Sequence, residues 1–139
     1  MTNVLVIMIV VPLVVLTIVK LAILITDAQT VIGKLSIRKR STQYIYIIQV
    51  KGAYPLLVKI GRTRDFVSRF RGYSTILPYG LKIWAIIPVK DCHRAERFLH
   101  LKFSKNRIAL NKEGFLLDLQ MLITIITLKN YIKRGKNVR

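Results

Sequence analysis

The 139 residues hold one small domain and something short beside it, too little for a multidomain enzyme. Twenty-four lysines and arginines against six acids give a formal net charge of +18, which points to polyanionic partners, either nucleic acid or anionic lipid headgroups. The one cysteine, Cys92, excludes an intrachain disulfide and a cysteine-based zinc site, and suits a reducing compartment.

Taken in order, the chain opens on an apolar run from Val4 to Ile25, broken only by Pro12, Thr17 and Lys20. A bilayer core of ~30 Å needs about 20 such residues as a helix, so residues 4–26 read as a transmembrane helix. A secretory signal fits less well, since its apolar core spans roughly 7–15 residues. Lys34, Arg38, Lys39 and Arg40 follow, and nearly all the positive excess lies beyond residue 26. By the positive-inside rule that flank stays cytosolic and the N-terminus lies across the membrane. Residues 27–42 show no clean period and read as a basic linker.

Residues 43–50 and 56–61 are aromatic and β-branched runs joined through Gly52 and Pro55, the pattern of an antiparallel hairpin. Asp65 is placed to cap a helix from Phe66 to Tyr73, on which Phe66, Phe70 and Tyr73 share one face. A loop at Leu77-Pro78-Tyr79-Gly80 leads to a third strand, Leu81 to Val89. Asp91 then caps a second helix through about Phe103, with Cys92, Ala95, Leu99 and Phe103 as its apolar stripe. Gly114 to Leu119 is a short apolar segment. Gln120 to Ile132 is a strand by propensity, because Ile123 to Thr127 is β-branched, and a helix by length and position. Lys133 to Arg139 is a basic tail. The expected fold is α+β, with a small three-stranded antiparallel sheet flanked by helices and a domain spanning residues 43–132.

Tyr44-Ile45-Tyr46 stands where the GIY triplet of the GIY-YIG nuclease superfamily stands, and Lys59-Ile60-Gly61 where its YIG triplet stands. Arg69 and Tyr73 lie eight and twelve residues after Gly61, like the family's helix-borne arginine and the His/Tyr that follows it. Ala95-Glu96-Arg97-Phe98-Leu99-His100 with Phe103 is similar to its metal-binding glutamate helix. Residues 43–119 resemble in particular the T5orf172 branch, seen in phages and large DNA viruses, whose closing segment appears here as Glu113-Gly114-Phe115. Lys59 departs from the first YIG tyrosine, as is common in that branch, and Gly114 departs from an aromatic. Asn106, Asn111 and Asn130 are all candidates for the family's late asparagine.

The resemblance implies a metal-dependent endonuclease acting on DNA, with Glu96 holding Mg²⁺ or Mn²⁺. Mg²⁺ can be held through a single carboxylate with waters and phosphate oxygens in its other positions. Arg69 would clamp a phosphate oxygen through its planar fork, and Tyr46 would orient or deprotonate water, although a phenol with a free pKa of ~10 is a poor base. Tyr73, Tyr44, Lys59 and His100 complete the implied site. Arg62, Arg64 and Arg71 are candidates for plain phosphate contacts.

Each residue also has a plainer reading. Tyr46 alone is a strand aromatic in a core, Arg69 a solvated helix charge, and Glu96 between Arg94 and Arg97 half of a surface ion pair. Cys92 is a small buried hydrophobe. His93, Glu96 and His100 share one helix face, but a histidine-based metal site lacks further ligands. Three functions compete: a membrane-tethered nuclease, a nucleic-acid-binding module of the same fold without catalysis, and a basic domain lying on anionic lipid.

Overall fold

The Tyr44–Val50 strand (β1) and the Leu57–Thr63 strand (β2) form the expected hairpin, with Tyr46 opposite Gly61 and Tyr44 opposite Thr63. The computed structural model describes residues 2–38, 41–52, 56–76, 80–108 and 113–134. Turn residues 53–55, loop residues 77–79, Asn111 and the tail from 135 lie outside the described residues. Leu81–Pro88 (β3) pairs with the other side of β1, and Gly114–Leu116 (β4) pairs with β2 opposite Leu57 to Lys59. The sheet order is therefore β3-β1-β2-β4, all antiparallel, with four strands instead of three. Three residues are too short to show a strand period. What holds β4 is its register, which puts the fully buried Phe115 opposite the fully buried Val58.

Alternation along the strands divides the side chains between two faces. Ile45, Ile47, Val58, Ile60, Ala85 and Ile87 point into one core. That face is covered by the helices Cys92–Lys102 (α3) and Leu119–Arg134 (α4). The opposite face carries Tyr44 and Tyr46, and the helix Phe66–Ile76 (α2) lies over it.

Local chemistry explains the helix starts. Asp65 Oδ1 accepts from Ser68 N at 3.1 Å, Asp91 Oδ1 from His93 N and Arg94 N at 3.0 Å, and Asp118 Oδ1 from Met121 N at 2.8 Å. Each satisfies first-turn amides that have no partner within the helix. The helix reading of residues 120–132 is the one realised. Its β-branched run carries a buried stripe, Met121, Thr124, Ile125 and Leu128, at helical spacing, and tertiary packing overrides strand propensity.

The N-terminal helix, Thr2–Leu35 (α1), is long and apolar enough to cross a bilayer. Its described apolar side chains from Ile7 to Ile25 are exposed, apart from the half-exposed Leu24. It does not end where the apolar run ends. Ala28, Val31 and Leu35 are almost fully buried and belong to the domain core, so the first part of the stretch read as a linker is helix. Their i, i+3, i+7 spacing makes one stripe, packed against α3 and α4. Asp27 fixes it further, pairing with Lys102 and accepting from Gln120 Nε2 at 2.8 Å.

Candidate active site

Gly61 is the geometric centre of the site. The ring of Tyr46 lies across it, so close that an added Cβ would sit 2.4 Å from the phenol oxygen. No side chain fits there, and the tyrosine is held flat on β2 with only 2% of its surface exposed. α2 packs on the ring's other side, with Phe70 edge-on at 5.6 Å and Tyr73 at 6.4 Å. The two phenol oxygens are 3.1 Å apart.

Lys59 and Gly61 share this face of β2, and the ammonium of Lys59 lies 5.3 Å from the centre of the Tyr73 ring. It also hydrogen-bonds the Tyr73 oxygen and pairs with Glu113 Oε2 at 2.5 Å. The result is a chain of polar groups, Tyr46, Tyr73, Lys59 and Glu113, drawn from β1, α2, β2 and the residue before β4.

The charges along this chain set its acidities. Burial, then the hydrogen bond to Tyr73, pushes the Tyr46 phenol well above the ordinary tyrosine range. Burial also pulls Tyr73 upward, but the hydrogen bonds from Lys59 and Tyr46 outweigh it and hold that phenol below its ordinary value. In the contact between the two phenol oxygens either hydroxyl can donate. Burial opposes charge on Lys59, but Glu113 and Tyr73 together hold the ammonium above its usual range. The hydrogen bond from Lys59 holds Glu113 below the usual carboxylate range, against the opposing effect of burial. Arg69, exposed on α2, lies near enough to lower Tyr46, Tyr73 and Glu113 through its charge.

The second half of the site lies across the edge of β2. Arg62 follows Gly61 and so points to the opposite face, where it pairs with Glu96 of α3. Glu96 is 8% exposed. One turn on, His100 Nε2 bonds the carbonyl of Ile60 at 2.9 Å, and its ring lies tilted against Phe115 at 5.1 Å. Arg62, His93, Glu96, Arg97, His100, Leu101 and Arg107 line an open cleft of about 460 Å³. Glu96 is the only acid in that lining, beside three arginines. Glu113 is within the field of both Arg69 and His100, so the two halves adjoin there.

The family model of the T5orf172 domain matches residues 43–129, more than half of the chain. The chain belongs to the T5orf172 domain family. That family is one of nuclease-like, DNA-binding domains. No curated protein matches the chain, and no solved structure matches it. The T5orf172 match contains every residue of both half-sites and leaves α1 outside.

Within this T5orf172 domain, Tyr46, Tyr73, Lys59 and Arg69 come together, and Glu96, Arg62 and His100 gather in the adjoining cleft. Tyr44 stands apart, edge-on to Phe66 at 5.2 Å. Arg64 and Arg71 are exposed at the end of β2 and on α2, and neither lines the cleft. Glu113 and Arg107 were missed as site residues. Glu113 leads the closing segment, and that was the available signal; Arg107 had none beyond its charge. Among the described residues no three His, Cys, Asp or Glu side chains group to hold a metal. The described donor set does not fit a cage of protein ligands; the carboxylate that could hold a cation with waters and substrate oxygens is Glu96, here paired with Arg62.

Proposed function

We propose that the T5orf172 domain is an endonuclease of the GIY-YIG kind, cutting phosphodiester bonds in DNA while α1 tethers it to a membrane. The observation that carries this reading is the phenol pair seated on Gly61 under Lys59, next to a basic cleft with one acid. Binding phosphate needs only the arginines. A hydrogen-bonded pair of tyrosines with opposed acidities serves proton transfer. The resemblance gives the water to Tyr46; the acidities favour Tyr73 as the group that takes its proton, with Lys59 holding the phenolate. Tyr46 donates to Tyr73 and fixes its ring. Arg69 and Arg62 bind and orient the phosphate. Glu96 would hold a Mg²⁺ or Mn²⁺ ion, which supplies positive charge to the phosphoryl and leaving oxygens. The basic residues Lys34 and Arg38 put the domain on the cytosolic side.

One observation favours a second reading, a DNA-binding module without catalysis: the carboxylate of Glu96 carries the Arg62 guanidinium. A cleavage assay on single- and double-stranded DNA with Mg²⁺ or Mn²⁺ separates the two. The wild type cuts, and Glu96→Ala does not while still binding DNA. A wild type that binds but never cuts leaves the module reading standing.

A further inference from the structure

We propose that one end of the domain, marked by Leu56, Leu101, Leu116 and Leu119, rests in the headgroup layer of the bilayer that α1 enters. This rests on the tethered reading above and adds an interaction surface to it: a T5orf172 domain that stands on the membrane instead of swinging from it.

The orientation comes from α1. One unbroken helix contains both the apolar run and the core residues Ala28, Val31 and Leu35. Asp27, two residues past Ile25, meets Lys102 at the end of α3 and Gln120 at the start of α4. At the other end of this segment, Ser36 O accepts from Lys90 N at 3.1 Å and Arg38 N donates to Pro88 O at 3.0 Å, where β3 ends. The domain therefore has a near end at Asp27 and a far end at Pro88, separated along the helix by about 12–15 Å.

The near end is where the exposed leucines are. Leu101, at the rim of the cleft, and Leu119 adjoin Lys102 and Gln120 and are 69% and 63% exposed. Leu116 and Leu56 join them, since Leu117 N donates to Leu56 O at 3.0 Å and Asn106 Nδ2 to Leu116 O at 3.0 Å. Among the described residues beyond α1, the other large apolar side chains this exposed are Val67, just past the far end of β2, Ile126 and Tyr131 on α4, and Ile83 on the edge strand β3. Lys105, next to Asn106, and Lys51, at the hairpin tip, are exposed at the same end. Leucines interspersed with lysines suit an interface with acyl chains below and anionic phosphates above. The distance agrees: Asp27 is about 3 Å beyond the last apolar residue, within a headgroup layer of roughly 5–8 Å on each side.

The test uses the full chain in vesicles of phosphatidylcholine and phosphatidylglycerol, with Trp84→Phe as background and one new tryptophan per variant. Lipids carrying a quencher at the headgroup boundary or deep in the acyl chains report depth. Leu101→Trp and Leu119→Trp are expected to shift to the blue and to be quenched severalfold more by the shallow probe than Val67→Trp at the far end. Lys105→Glu in the Leu119→Trp chain should reduce that quenching. Leu16→Trp, quenched by the deep probe, confirms the span independently. Near-end tryptophans quenched no more than Val67→Trp, with Leu16→Trp quenched, overturn the footing and leave the tether intact. A blue shift without quenching assigns the leucines to a protein contact and also overturns it. An unquenched Leu16→Trp overturns the tethered reading itself.

Discussion

Replacing Gly61 by alanine tests the packing at the centre of the site. The new Cβ would meet the Tyr46 oxygen at 2.4 Å, Cζ at 2.5 Å and Cε2 at 3.0 Å, whereas carbon contacts settle near ~3.5–4.0 Å. The ring must therefore move about 1 Å. It has nowhere to go, being 2% exposed and bounded by Phe70 and Tyr73. Overpacking of this kind costs about 1–3 kcal/mol, and losing the phenol pair adds about 1 kcal/mol. The stiffer unfolded chain returns about 0.4–1 kcal/mol, so the net loss is about 1–3.5 kcal/mol. Urea unfolding of a chain beginning at Thr26 measures it. Gly72→Ala is the control, since nothing lies within 4 Å of its added Cβ, and alanine in that helix should stabilise by up to about 1 kcal/mol. Tyr46→Phe should not rescue Gly61→Ala, because Cζ remains at 2.5 Å. A Gly61→Ala chain within about 0.5 kcal/mol of wild type, the scale of an ordinary surface change, would refute the packing described.

Tyr73→Phe should lower cleavage by about 10²-fold or more with DNA affinity unchanged, and should remove a tyrosine that ionises below the ordinary tyrosine range when absorbance is followed up the pH scale. The folded-state pKa of Glu113 lies below its ordinary value of ~4.3, so its contribution is present above that pH and lost as pH falls through the folded value. Glu113→Gln should therefore flatten the acid limb of the stability curve, by no more than about 1 kcal/mol because the pair is partly exposed; an unchanged limb between about pH 5 and 3 would exclude the pairing. A chain beginning at Thr42 lacks Val31 and Leu35, each worth about 1.5–3 kcal/mol when buried, and should unfold well before one beginning at Thr26. Equal urea midpoints would show that α1 is no part of the core.

The local chemistry of this chain was legible. Tyr44 to Thr63 announces its hairpin by β-branched residues, and Asp65 and Asp91 announce their helices by cap position. What the sequence concealed was non-local. Gly114 to Leu116 has no period of its own and becomes a strand only because Val58 accepts Phe115. Ala28, Val31 and Leu35 were spaced as a helix stripe, but Thr26, Asp27, Gln29 and Thr30 between them gave the segment a linker's polarity. Tyr46, Arg69 and Glu96 were singled out through the family resemblance, which could not show that Glu96 and Tyr46 lie on opposite faces of β2. Nor could it show that Glu113, 54 positions from Lys59, closes the chain of polar groups between them.

The helix that carries Val31 and Leu35 is made before α4, against which they pack. At roughly 5–20 residues per second, several seconds separate their synthesis. Throughout that interval the inner stripe of α1 lacks its α4 partner. A chain that stops short of Met121 lacks the α4 stripe that covers Val31 and Leu35, so these two side chains become fully buried only once α4 has been made.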